Sequence, residues 1–399
     1  MKVDEMKIID ENPKVKEKMM KRIKNDVETG IKEREKIDEL IKQEKLWDKI
    51  VLYELEKKHL GDIKAKEIIF LCAVGRLVNN KKSYSFNCLV LAPSSSGKDH
   101  LVKSVLKLFP RACQERYGRT SRTTLNYLHT LDSEPDYDYN GKILYLPEIE
   151  EHILNSEVML EFTSSDDEVT KVAITKPKGA GVDIKEIRGH PEVFTTTATT
   201  IPTEETRNRF NIVGLDLSDE QIRRTFILSE SEYNPRIMKY LSDLKPCDVE
   251  IPKKMFDFIV KNFPGKKQRH KRDFQRLLDF IKVLALFNGR KIAEPKDYDR
   301  AKDIFMNAYS TCADIPLKDM DRRIVKTLES ADVPMSARML NDELGGIITI
   351  SNLYPKLRNL VGKEILDEQT DRTLGYVITN FVLSDEFKDK KPFILPNFE

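Results

Sequence analysis

The clearest pattern in the chain is an apolar run that stops abruptly and restarts with a different period. Cys88-Leu89-Val90-Leu91 reads as a buried strand, and helical spacing resumes at Leu101, Val102, Val105, Leu106 and Leu108. Between them lies a stretch of small and polar residues, Pro93-Ser94-Ser95-Ser96-Gly97-Lys98-Asp99-His100, which predicts a tight loop leading into a helix. Ile143-Leu144-Tyr145-Leu146 and Val193-Phe194-Thr195-Thr196-Thr197-Ala198-Thr199-Thr200 are two further core-strand candidates, the second of high β propensity. Around Gly179-Ala180-Gly181 the alternation of Val169, Lys171 and Ala173 with Val182, Ile184 and Ile187 predicts a β-hairpin with Lys176 and Lys178 near its tip. Helical spacing governs most of the remainder. The pattern assigns 1–60 to a charged helical extension, 61–235 to an α/β core, 236–315 to a helical lid, and 316–399 to a small module of three helices and a hairpin followed by a tail.

Composition narrows the class. A chain of 399 residues holds about two to three domains. Its formal net charge of +2 means that any nucleic-acid surface is local. No apolar run approaches the roughly 18 residues of a membrane span, and the first residues lack a signal-peptide core, so a cytoplasmic protein with no membrane contact is expected. The five cysteines are scattered and odd in number, which predicts reduced thiols.

The candidate chemistry sits in the loop. Small residues let backbone N–H groups turn inward on an anion, the helix start adds its positive dipole end, and a lysine reaches the outer phosphates. Pro93, Ser94, Ser95, Ser96, Gly97, Lys98, Asp99 and His100 therefore form the candidate nucleotide cradle. Two positions depart from the pattern G-x-x-x-x-G-K-[ST]: Ala92 replaces the first glycine, and Asp99 replaces the hydroxyl residue. Ile143–Leu146 delivers Glu148 as the acid that activates water, with Pro147 where a metal-side aspartate is expected. Asp99 then supplies the metal-side charge that Pro147 cannot, with Glu148 beside it on the Mg²⁺ side. A third strand lying between these two would set Thr197, or a neighbouring threonine, beside the γ-phosphate. Asn208-Arg209-Phe210 offers Arg209 as a finger for a neighbouring subunit's nucleotide, and Arg272 (with Arg276 as the alternate) is placed to reach a phosphate from the lid.

The order of these parts resembles the AAA+ ATPases of DNA replication. It is nearest to the ATPase modules of mobile-element primase-helicases and more distantly similar to minichromosome maintenance helicases. The residues that carry the likeness are APSSSGKD, ILYLPEIE, the lysine-bearing hairpin, VFTTTATT and ETRNRF, followed by the helical stretch and the terminal module. The resemblance implies a three-layer P-loop core with a helical lid and a C-terminal winged helix. It implies ATP and Mg²⁺ as cofactors. Lys98, Glu148 and Arg209 would be catalytic, with Thr197 as sensor one and Arg272 as sensor two. It further implies a hexameric ring that grips single-stranded DNA in its pore, with possible duplex contact through the winged helix and primase or other replication proteins as partners. The expected activity is that of an ATP-dependent DNA helicase or translocase. The alternatives are a non-hydrolysing or weakly hydrolysing ATP-binding initiator or loader, and a winged-helix DNA-binding regulator.

Overall fold

The computed structural model describes residues 45–118, 128–164, 167–175, 181–198, 204–226, 231–264, 270–311, 319–331, 333–362, 365–373, 376–384 and 395–398, with a few isolated positions besides. Most of the 1–44 extension, the hairpin tip with Lys176 and Lys178, and the basic run 265–269 lie outside the described residues.

A short helix α1 (Leu46–Lys49) runs on through a π-turn and a 3₁₀ turn to Lys57, and α2 (Ile63–Gly75) precedes strand β1 (Cys88–Leu91). The loop after β1 opens into α3 (Lys98–Leu106), followed by β2 (Gln114–Arg116) and β3 (Ile143–Leu146). Helices α4 (Glu151–Leu154) and α5 (Glu157–Ser164) lead to a hairpin of β4 (Val169–Thr175) and β5 (Val182–Arg188), and then to β6 (Glu192–Thr197). After α6 (Glu204–Arg207), β7 (Asn211–Gly214) and α7 (Asp219–Thr225) come four helices: α8 (Pro235–Asp243), α9 (Lys253–Asn262), α10 (His270–Phe287) and α11 (Pro295–Thr311).

Five strands form one parallel sheet in the order β2-β3-β6-β1-β7. Both faces are covered, which is why the strands read as unbroken apolar runs rather than alternating ones. The period of two is nonetheless present, as a choice between two cores. Cys88, Val90, Ile143, Tyr145, Phe194 and Val213 face one cluster, while Leu89, Leu91, Leu144, Leu146, Val193 and Ile212 face the other. This is a three-layer α/β fold. The third strand does lie between the other two, with β6 between β1 and β3.

The expected boundaries need correction. Trp47, Ile50, Val51 and Leu55 are buried in the same cluster as α2, so the core begins near residue 46 rather than 61. Helices α8–α11 join that cluster through Ile237, Met255, Leu277, Phe287 and Ile304, so the expected lid shares a core with one face of the sheet. Burying one such aliphatic or aromatic side chain is worth roughly 1.5–3 kcal/mol, and the whole row commits these helices to the sheet. The end of the expected tail also returns here: Tyr298 donates to the Pro396 carbonyl at 2.8 Å, and Leu395 is buried in this cluster.

The remaining segment has its own core. Helices α12 (Asp319–Ala331), α13 (Ala337–Glu343) and α14 (Ile350–Gly362) pack on a three-stranded sheet, β8 (Met335–Ser336), β9 (Leu366–Thr373) and β10 (Tyr376–Leu383), in the order β8-β10-β9. The three helices and hairpin expected here are therefore present. Among the described residues no helix is long and apolar enough to cross a membrane.

Candidate nucleotide site

Because β1, β3 and β6 are parallel, their C-terminal ends bring the loop after Leu91, the turn after Leu146 and the threonines of β6 to one edge of the sheet. Ligands of open α/β sheets bind at this edge. The loop is shaped by two left-handed residues, Ser95 (φ 64°) and Gly97 (φ 87°). Glycine takes this conformation freely, whereas a serine held there costs about 1 kcal/mol. A side chain at Gly97 would find space, with His59 Cε1 3.8 Å from its Cβ, so conformation rather than crowding requires glycine there.

Lys98 opens α3, and its side chain is only 4% exposed, with Nζ 3.7 Å from Glu148 Oε1. That separation is long for a hydrogen bond. A buried ammonium is costly without a close anion, and a phosphate between the loop amides supplies one. The Ser96 hydroxyl is likewise buried without a protein partner among the described residues. Such an atom costs about 1–3 kcal/mol until something bonds to it. These observations fit a bound phosphate chain.

The residue replacing the loop hydroxyl is held from behind. Asp99 Oδ1 accepts from the Tyr145 hydroxyl at 3.0 Å and from Thr196 Oγ1 at 2.6 Å. Burial and the Asp99 carboxylate push the Tyr145 phenol well above its ordinary range, which keeps it a neutral donor. Thr196 Oγ1 also accepts the backbone N–H of Glu148 at 2.8 Å. One hydroxyl thus ties the loop carboxylate to the backbone of the turn that carries Glu148. Glu148 itself stands at φ 51° with its side chain 69% exposed, so the turn after Pro147 lifts the acid off the sheet edge toward solvent. Mg²⁺ would be held on this side by Asp99, whose Oδ2 has no protein partner among the described residues, and by Glu148. The residues fit a hard cation, which takes oxygen ligands.

Three expectations change. Thr197 is buried and makes no side-chain hydrogen bond to Lys98, Asp99 or Glu148 among the described residues, and Thr195 donates to the Leu146 carbonyl. Thr196 is the threonine that faces the site. Arg272 lies at the opposite edge of the sheet, with its guanidinium 5.3 Å from the centroid of Tyr84, which precedes β1. It does not reach its own chain's loop, and neither does Arg276, which donates to the Asn208 carbonyl at 2.7 Å and pairs with Asp273. Arg209 sits at that far edge too, just before β7, donating to the Leu160 carbonyl (2.7 Å), Ser164 Oγ (2.8 Å) and Glu205 (2.8 Å). His100 turns away from the loop toward His59, with their Nδ1 atoms 3.2 Å apart.

The sequence reading also missed a cavity. A space of about 660 Å³ opens beside Leu91 and Pro93, lined by Ile63, Ile68, Val213 and Leu215 with Asp62 and Asp216 at its wall. Its lining mixes these apolar side chains with Lys64, Gln221 and Arg224, and it lies next to the phosphate loop. Its walls come from α2 and the end of β7, segments about 150 residues apart in the chain. The signal available was Gly61-Asp62, a turn ahead of an apolar helix.

Among curated proteins none matches the chain. A family model does, over residues 26–262, which spans the sheet, the loop, both carboxylates and the cavity. With the parallel sheet, the left-handed loop and the buried lysine at its end, this match establishes a P-loop nucleotide-binding domain: the chain belongs to the MTBMA_p00010 P-loop domain family.

Proposed function

We propose that the chain is the subunit of an ATP-driven DNA helicase or translocase of the AAA+ class that acts in replication and hydrolyses ATP at a site shared between neighbouring subunits. The observation that carries this reading is the placement of the parts about the sheet. Strand β6 lies between the loop strand and the acid strand, the β4–β5 hairpin leaves the chain between Glu148 and β6, and Arg209 stands at the edge opposite the loop. An arginine there cannot serve its own triphosphate, but in a closed ring it meets the next subunit's.

In this reading the loop amides and Lys98 bind the β- and γ-phosphates of ATP. Glu148 accepts the proton of the water whose oxygen bonds to the γ-phosphorus as the bond to ADP breaks. Thr196 aligns Glu148 against Asp99. Mg²⁺, when bound, supplies charge neutralisation across the phosphate oxygens. Arg209 from the neighbour stabilises the charge that develops. The homo-oligomer, a hexamer, grips single-stranded DNA with the hairpins in its pore. The terminal module is a winged helix that offers a second contact to duplex DNA, and primase or other replication proteins are its partners.

One observation favours a weakly hydrolysing initiator or loader as the second reading. The loop carboxylate stands where a hydroxyl would, and Oδ1 of that carboxylate is already occupied by Tyr145 and Thr196. DNA-stimulated ATP hydrolysis and strand displacement by wild type beside Lys98→Ala test the two. Turnover that rises with single-stranded DNA and falls at least about 100-fold in the variant supports the motor. ATP binding with negligible turnover supports the initiator. No ATP binding at all overturns both.

A further inference from the structure

The cavity and the phosphate loop are joined by a short chain of polar groups that the hydrolytic machinery does not use. Asp62 lies in the cavity wall in a left-handed conformation (φ 50°), uncommon for a residue with a side chain. Its Oδ1 accepts the backbone N–H of Asp216, also in the wall, at 2.8 Å. Its Oδ2 lies 2.8 Å from His59 Nε2, and both side chains are nearly fully buried, at 4% and 6% exposed. His59 Nδ1 in turn lies 3.2 Å from His100 Nδ1, on the first turn of α3, and His59 packs beside Gly97.

The proton directions follow from chemistry. A carboxylate only accepts, so His59 donates to it through Nε2–H. The Nδ1–Nδ1 contact holds one proton, carried by either ring, and it joins the loop helix to the cavity wall. The turn that carries it is fixed elsewhere as well: the Gly61 N–H donates to Glu56 at 3.1 Å, and Gln221 of α7 bonds to the Leu60 carbonyl.

We infer that Asp62 and His59 are positioning residues that transmit occupancy of the base cavity to the phosphate loop, so that a nucleoside triphosphate holds the start of α3 and Lys98 in place where a bare polyphosphate does not. This rests on the reading of the loop as a nucleotide site. A base filling the cavity bears on Asp62 and Asp216, and the His59–His100 contact carries that constraint to the helix bearing Lys98. His59 does not line the cavity, so its removal leaves the base contacts themselves intact.

The test is a comparison of two ligands by titration calorimetry, MgATP and inorganic tripolyphosphate, on the full chain as wild type, His59→Leu and Asp62→Gly. Glycine accepts the backbone conformation of Asp62, so the second variant removes the two side-chain bonds without adding strain. The expected result is about a tenfold loss of ATP affinity in each variant, with tripolyphosphate affinity within about twofold of wild type. Equal weakening of both ligands means the chain only shapes the loop, and overturns the inference. Unchanged ATP affinity in both variants also overturns it. Failure of the wild type to bind ATP refutes instead the nucleotide reading beneath it. Unfolding curves of the three proteins identify a variant that has simply lost its fold; because Asp62 lines the cavity and His59 does not, the decision rests on His59→Leu, with His59→Phe in its place if that variant has unfolded.

Discussion

Thr196 and Asp99 are joined by a 2.6 Å hydrogen bond that crosses from the central strand of the sheet to the first turn of the loop helix. Thr196 also accepts the Glu148 N–H, so one hydroxyl joins the loop carboxylate to the backbone of the turn that carries Glu148. Its neighbour Thr197, one residue on, points to the other face. Replacing Thr196 by valine keeps the shape and removes both bonds. ATP turnover is expected to fall roughly 10–100-fold, about 1.4–2.7 kcal/mol of barrier, while Thr197→Val stays within about threefold. Steady-state ATPase assays of the two variants decide it, and equal losses would return the role to the strand as a whole.

Asp99 is expected to carry the metal-side charge that Pro147 cannot. Asn at this position retains an oxygen for Tyr145 and Thr196 and removes only the charge. Asp99→Asn should therefore raise the Mg²⁺ concentration for half-maximal turnover by about tenfold or more, with the melting temperature little changed. A Mg²⁺ titration that overlays the wild-type curve would take Asp99 out of the metal's coordination.

Arg209 is tied to Leu160, Ser164 and Glu205 at the edge of the sheet remote from its own loop. Removing it deletes these bonds, though Ser164 Oγ still donates to the Leu160 carbonyl and Glu205 is exposed, and costs about 1 kcal/mol of stability. Its proposed catalytic role needs a test that stability cannot mimic. Arg209→Ala and Lys98→Ala subunits should each be inactive alone, and mixing them should restore part of the turnover, because some interfaces then combine an intact loop with an intact arginine. Mixtures without recovered activity would leave Arg209 a structural residue.

Glu192 begins β6 and is buried beside Lys81, whose Nζ is 3.1 Å away. Burial pushes its carboxyl above the ordinary value of about 4.5, a shift that Lys81 opposes, and Oε2 has no hydrogen-bond partner among the described residues. The fold therefore favours the protonated form. That contribution is fully present below the ordinary value and is lost as pH rises through the raised one. As the pH rises above 4.5, urea unfolding of Glu192→Gln should gain on wild type. A constant difference across that range would show that Lys81 compensates the burial completely.

What could be read without coordinates was whatever a local pattern encodes. Strands β1, β3 and β6 are legible because a sheet covered on both faces demands continuous apolar runs. The loop is legible because only small residues let backbone amides close on an anion. What misled was parity and distance. In the threonine run of β6 every residue has the same chemistry, and only the hydrogen bonds of Thr196 to Asp99 and to the Glu148 N–H show which one stands beside the loop. Arg272 follows a basic segment that suggested a phosphate contact, but its helix packs so that it meets Tyr84 at the far edge. The lid looked separate because its amphipathic helices carry no mark of which surface they cover.

The sequence alone determined that a phosphate loop follows a buried strand, that an acid follows a second, and that a hairpin intervenes before a third, since each depends on neighbouring residues and their period. Tertiary structure decided which threonine joins Asp99 to the turn that carries Glu148, that Arg209 and Arg272 share the edge away from the loop, and that residues 46–57 and α8–α11 complete a single core. It also created the cavity beside the loop and the Asp62–His59–His100 chain, which join segments separated by tens to over a hundred residues. Such contacts arise from the order of strands in the sheet and the register of their faces, and neither is written in any local stretch of the chain.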